Sequence, residues 1–369
     1  EGRSDPSAPL RSHTRRAFHS SSSRLVTVER RLRAEGFSKE VARLATKKVR
    51  SSTSQLYQHR WAIFRKWCLD RGVSAASTPV NDVAEFFIFL FRTKKLAVPT
   101  IEGYRSVISS VQPGVGTDQT LSDVLKAFSQ EAPAASPRVV NWNLDVVLKF
   151  LRSSEFEPLN QAPLRALTIK TLFLLALASA RRMGELQAIS KDVGFRSGCV
   201  QLSYLLSFVA KNETRAHPIP RVFSVQGLSS LIGPRDRGIL NCPVRALKEY
   251  VSRLLPLRVG HKHLFCSVSK PSRPLSKNAI SFFIRDLIRR AHEGVPSDCF
   301  PLYRVRAHDV RAVATSFAFL RNVPLQSIID TVNWKTNSVF ASHYLKDLAF
   351  QYGDCHSLGP VVATNSILN

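Results

Sequence analysis

Residues 308–344 read HDVRAVATSFAFLRNVPLQSIIDTVNWKTNSVFASHY. Apolar residues recur at helical spacing over 308–320 and again over 325–332, so the spacing predicts two helices. His308 and Arg311 stand at i, i+3, which puts an imidazole and a guanidinium on one helix face, where both can meet a single phosphate. An ordinary helix-start histidine with an exposed arginine has the same spacing. Trp334 after Val332-Asn333 reads equally as plain packing, and Tyr344 as core. Taken one at a time, these signals are weak.

Working toward the N-terminus, the longest apolar run, TLFLLALASA at 171–180, is about half of the roughly 18 residues that span a bilayer, and reads as a buried helix. It runs into Arg181-Arg182-Met183-Gly184-Glu185-Leu186. An arginine at a helix end with glutamate three residues later presents a guanidinium braced by a carboxylate, although basic residues also favour helix C-termini for simpler reasons. Between these motifs the period changes. Residues 199–205 alternate, and 207–210 and 217–219 flank the polar turn KNETRA, which predicts a two- or three-stranded sheet among helices. Lys211 at the hairpin tip can reach a polyanion and donate a proton; solvated hairpin lysines are commoner.

The 369 residues carry 53 Lys plus Arg against 27 Asp plus Glu, a formal charge of +26. Such a surplus implies a polyanionic partner, with nucleic acid the leading candidate. Cys68, Cys199, Cys242, Cys266, Cys299 and Cys355 form no C-x-x-C pair, which suits free thiols in a reducing compartment. HExxH, P-loop and GxGxxG motifs are absent, excluding zinc proteases and dinucleotide enzymes of those types. The one methionine is Met183, so the sequence reads as an excerpt of a longer product. Residues 1–37 mix Arg, Ser and Pro and are expected to form a basic, disordered arm. Five short helices are expected within 38–131, a linker at 132–141, a larger unit at 142–352 and a tail at 353–369.

Order and spacing change the odds. Arg-x-x-Glu-Leu, a hairpin lysine, His-x-x-Arg, then Trp334 and a tyrosine ten residues on resemble the tyrosine recombinases, the phage-integrase-like enzymes of DNA strand exchange. The resemblance spans about residues 38–352, and Trp334, Phe340 and Tyr344-Leu345-Lys346-Asp347 look most like the recombinases of DIRS-type retrotransposons. It implies a mainly α fold with a small β-sheet: a helical core-binding (SAM-like) domain, then a recombinase catalytic domain, together a C-shaped clamp on duplex DNA. It further implies a homotetramer on two DNA sites, a nuclear location, and neither metal nor ATP, because the phosphodiester energy stays in a covalent bond.

By that resemblance, Arg182 and Arg311 grip the scissile phosphate's non-bridging oxygens. Tyr344 attacks phosphorus, giving a 3′-phosphotyrosine and a free 5′-hydroxyl. A phenol is protonated at neutral pH, so His308 assists by accepting its proton or by bonding the phosphate. Lys211 protonates the departing 5′-oxygen, with Lys191 and Arg215 as alternatives. Trp334 stands where many relatives have histidine; its indole only donates, so it braces a phosphate oxygen. Glu185 supports the arginines or His308. Lys47, Lys48, Arg50, Arg60, Arg65 and Arg105 are the expected DNA contacts of the helical domain, and residues 348–368 an expected docking segment for a neighbouring subunit. A recombinase-derived protein that only binds DNA, a type IB topoisomerase and an RNA-binding basic protein are the competing readings.

Overall fold

A computed structural model describes residues 23–47, 51–133, 140, 142–211, 213–214, 218–233, 236–257, 260–295, 305–334 and 336–346. The chain divides into two compact units, Glu1–Ala135 and Ser136–Asn369.

The first unit is all helix: α1 (Arg24–Ala34), α2 (Lys39–Thr46), α3 (Ser51–Asp70), α4 (Val80–Ile88), α5 (Val98–Ser109), the single turn α6 (Gly114–Thr117) and α7 (Gln119–Glu131). Local chemistry starts them. The hydroxyl of Ser38 and the carboxylate of Asp118 accept from the backbone N–H of Val41 and Leu121 at 3.2 and 2.9 Å, and Pro99 lies in the first turn of α5. Val83, Phe86, Phe87 and Leu90 fall at i, i+3, i+4, i+7 and are all buried. Phe86 meets Phe64 of α3 and Tyr104 of α5 edge-on, at centroid distances of 5.0 and 5.7 Å. The helix predicted over 80–91 continues past Ile88 as a π-helical turn, Phe89–Thr93.

α1 corrects the expected arm. Leu25, Val28 and Leu32 recur within the Arg-rich run at helical spacing, and Val28 is buried in the core of this unit. Arg24 is buried as well; its Nη1 donates to Ser110 at 3.0 Å and its backbone N–H to Gln58 at 2.9 Å. Residues 1–22 and 347–369, and with them the rest of that arm, the tail and the docking segment, lie outside the described residues, as does most of the linker.

The second unit is built around α9 (Leu164–Ser179), which is predominantly apolar and almost wholly buried. Around it stand α8 (Leu144–Phe150), α11 (Pro243–Leu254), α12 (Lys277–Ala291) and α13 (Asp309–Leu320). Lys170 inside α9 is fully buried, and its ammonium donates to Glu157 at 2.5 Å and to the Leu151 carbonyl at 2.7 Å. Arg245 closes the cluster bidentately on Glu157, both contacts 2.7 Å.

One antiparallel sheet, β1 (Gly194–Arg196), β2 (Cys199–Ser203) and β3 (Val222–Gln226), accompanies the helices; Gly194 pairs with Gln201, and Ser203 with Val222. The fold is thus mainly α with a small sheet. The expected strands at 207–210 and 217–219 are instead parts of the β2–β3 connection. Pro218 and Pro220 lack the N–H that a ladder needs, and His217 lies outside the described residues. The four described cysteines, Cys68, Cys199, Cys242 and Cys266, are free.

Candidate active site

Two left-handed residues aim the site. α9 stops at Ala180 (φ 48°), and α14 (Leu325–Val332) at Asn333 (φ 55°). Asparagine tolerates that conformation; alanine adopts it at a cost of roughly 1–2 kcal/mol, so the surrounding structure must hold Ala180 there. The first turn delivers Arg181 and Arg182 to the start of α10 (Met183–Gln187), and the second delivers Trp334.

At the start of α10, Glu185 accepts from the Arg182 backbone N–H at 3.1 Å and from its Nη1 at 3.0 Å. The same carboxylate stands 3.7 Å from Nη1 of Arg311. Arg311, on α13, is fully buried, and its two Nη groups donate to the carbonyls of Ala180 (2.7 Å) and Val332 (2.9 Å) while Nε has no partner. Burial, together with Arg182, pushes its guanidinium down to about 10. Arg311 also lies under two rings: Trp334 at 5.1 Å and Tyr344 at 5.4 Å. Those rings pack on each other at 4.4 Å. Tyr344 ends a π-helical turn, Phe340–Tyr344, tied to α13 by the Ser316 hydroxyl, which donates to its carbonyl at 3.0 Å. Trp334 is buried with its indole N–H unpartnered.

Arg182, Glu185, Lys211 and His308 line one cleft of ≈ 440 Å³. Lys211 is exposed in the β2–β3 connection, which Glu213 braces through the Ala210 N–H (2.9 Å) and Arg221 (2.6 Å). His308 immediately precedes α13 and is exposed at the cleft. Loss of hydration within the cleft, then the charges of Arg311, Arg182, Lys211 and Lys277, hold its imidazole below the ordinary histidine value.

Five chain segments therefore converge. Arg182, Lys211 and His308 share the cleft; Arg311, Trp334 and Tyr344 share a stack; Glu185 touches both groups through the arginines. His308 and Arg311 part company in depth, His308 at the cleft and Arg311 in the interior. His343, beside Tyr344, points its bulk to solvent. Lys191 is exposed away from the cleft lining, and Arg215 lies outside the described residues.

No family model and no curated protein matches this sequence. Solved structures do. The Tn1549 transposon integrase in complex with a circular intermediate DNA is similar over 94% of this chain and 100% of that chain, with a TM-score of 0.56 and 13% identity. A lambda integrase dimer bound to a COC′ core site is similar over 85% of this chain and 76% of that chain, with a TM-score of 0.50 and 14% identity. The fold is that of the tyrosine-recombinase integrases.

On this tyrosine-recombinase fold, the cleft lining that escaped the sequence reading includes Arg306, just before α13, and Lys277, Ser281 and Arg285, the last three all on α12. The i, i+4, i+8 spacing of those three was the available signal, and the apolar stripe of the same helix outweighed it. In the helical unit, Lys47 and Arg65 are exposed, while Lys48 and Arg50 lie outside the described residues. Arg60 is half-buried over the Tyr104 ring at 5.3 Å. Arg105 departs from the expectation: its Nε donates to the Val115 carbonyl at 3.0 Å, and its Nη2 to the Asp118 carbonyl at 2.8 Å and the Ser122 hydroxyl at 3.0 Å. Those donors fasten the α5–α7 junction, which leaves few for a phosphate.

Proposed function

We propose that this chain is a tyrosine recombinase that cuts and rejoins duplex DNA through a 3′-phosphotyrosine. The observation that carries the reading is the shared carboxylate: Glu185 sits between Arg182 and Arg311, with the Tyr344 ring on the second guanidinium. Two arginines, a phenol, an imidazole and an ammonium from distant segments suit one phosphodiester better than separate packing roles do.

In the proposed reaction a backbone phosphate enters the cleft between Arg182, Lys211 and His308. Arg182 bonds a non-bridging oxygen, and Arg311, behind Glu185, adds a second positive charge in a place of low polarity, where charge acts strongly. The indole N–H of Trp334 supplies a donor without a protein partner. Tyr344 attacks phosphorus. Its proton passes to His308, whose imidazole is held below the ordinary histidine value by loss of hydration and then by its cationic neighbours, which favours the neutral, proton-accepting form. Lys211 protonates the 5′-oxygen as it leaves, and reversal on a second strand completes the exchange. The proposal extends to integration of a mobile element of DIRS type in the nucleus, by a tetramer on two sites.

One observation favours the rival in which the fold binds DNA without cutting it: both Nη groups of Arg311 are already engaged by carbonyls. Nicked suicide DNA separates the two. The recombinase reading expects a covalent protein–DNA adduct from the wild type and none from Tyr344→Phe; equal absence of adduct from both favours the binder. Joining of two separate duplexes, rather than relaxation of supercoils alone, distinguishes a recombinase from a type IB topoisomerase.

A further inference from the structure

We propose that Arg181, the neighbour of the phosphate-facing arginine, is a positioning residue that sets the reach of Lys211. The inference rests on the recombinase reading and deepens it. Arg181 is 8% exposed, forms no ion pair among the described residues, and leaves its Nε without a partner. A guanidinium so placed loses hydration without a carboxylate in return, which calls for another use of its planar face. That face lies on aromatic rings, 4.5 Å from the Phe223 centroid and 6.0 Å from that of Tyr204.

These two rings belong to the base of the lysine connection. Phe223 is on β3, opposite Leu202 of β2, and Tyr204 follows β2 directly, its N–H donating to the Arg221 carbonyl at 3.0 Å. Tyr204 packs on Phe223 at 5.3 Å and on Phe208 at 5.2 Å. Phe208 lines the same cleft as Lys211, and its carbonyl accepts from Arg221 at 2.7 Å. A continuous series of contacts therefore runs from Arg181 through Tyr204 and Phe223 to Phe208 and the Lys211 turn. Arg181 is peptide-bonded to Arg182, so the cation that meets the phosphate and the cation that protonates the leaving group are held at a fixed separation. A loop lysine tied only by its own backbone has no such fixed reach.

The step it serves balances simply. The Tyr344 Oη–phosphorus bond forms as the phosphorus–O5′ bond breaks. The electron pair of the broken bond stays on O5′, which takes a proton from the Lys211 ammonium and leaves a neutral amine, while the phenolic proton goes to His308. A sulfur atom in place of the bridging O5′ removes the need for that proton, because a thiol is far more acidic than an alcohol and departs as thiolate.

Suicide substrates with oxygen or sulfur at the scissile 5′ position provide the test. Lys211→Ala is expected to slow cleavage of the oxygen substrate by about 100-fold, in the range of lost general-acid catalysis, and to recover on sulfur. Arg181→Leu is expected to slow the oxygen substrate by about tenfold and to recover to within about twofold of wild type on sulfur, since only proton delivery is misaligned. Phe223→Leu, which removes the ring under the guanidinium, should follow the same pattern and stands in should Arg181→Leu fail to fold. Arg182→Ala should be slow on both substrates. Equal slowing of Arg181→Leu and Phe223→Leu on oxygen and sulfur, or no slowing on either, overturns the positioning role while the recombinase reading stands. A wild type that forms adduct on neither substrate overturns that reading, and the inference with it.

Discussion

At the scale of single residues, the carboxylate of Glu185 has a guanidinium on either side and is itself 7% exposed. Glu185→Gln leaves two buried or half-buried cations sharing no counter-charge. Removing one partner of a buried ion pair costs about 3–5 kcal/mol, so the thermal midpoint of this variant should fall, alongside loss of cleavage. Differential scanning calorimetry measures the first; an unchanged midpoint would mean that the arginines do not rely on Glu185. Trp334 makes the opposite case. Its indole N–H is buried and unpartnered, so replacing the ring with Phe removes a donor the folded protein does not use. Trp334→Phe keeps an aromatic ring in the stack and should cost only the packing of the lost ring atoms, yet reduce the single-turnover cleavage rate by about tenfold, the value of about 1.4 kcal/mol for one lost transition-state hydrogen bond. A cleavage rate matching wild type would remove the indole from the chemistry.

At the scale of elements, two substitutions in the helical unit should behave in contrasting ways. Arg105→Ala frees the carbonyls of Val115 and Asp118 and should lower the unfolding midpoint. Arg65→Ala, on the exposed face of α3, should leave stability unchanged and reduce the salt slope of DNA binding by about one; salt-titrated anisotropy reads the difference. In the second unit, His292 joins α12 to the start of α8. Its Nε2 accepts from the Asn143 N–H at 2.9 Å, so its Nδ1 carries the proton given to the Ile288 carbonyl at 2.8 Å. Burial lowers its pKa, with the Ile288 carbonyl opposing. The unfolded chain takes up a proton near pH 6.5 where the folded one does not, so stability is complete above that pH and declines as the pH falls below it. His292→Gln, which cannot take up the proton, should flatten the decline seen in thermal melts between pH 7.5 and 5. Helices were the legible part of the sequence: α13 and α14 follow from apolar spacing alone. Strands were less so, because prolines at 218 and 220 break a pattern that alternation alone accepts. α1 was hidden by its arginines, whose alkyl stems pack while the charge density suggests a loose arm. Spacing placed His308 and Arg311 on one face but carries no information on depth, and Arg181, whose role depends on rings 23 and 42 residues away in sequence, has no local signature at all.

At the scale of the whole molecule, a formal charge of +26 is the property that brings any DNA to the cleft. Each neutralised phosphate contributes a slope of about −0.9 to log K against log salt, so six to ten contacts weaken binding by roughly 10³–10⁵ between 50 and 200 mM. A shallow salt dependence would instead point to a few local contacts. The central claim remains the chemistry at one phenolic oxygen, and mass spectrometry of the adduct from suicide DNA addresses it most directly. The account predicts a single DNA-linked peptide with the nucleotide on Tyr344, joined through the 3′-phosphate, and no such peptide from Tyr344→Phe. A nucleotide on any other residue, or an adduct that survives the loss of the Tyr344 hydroxyl, would contradict it.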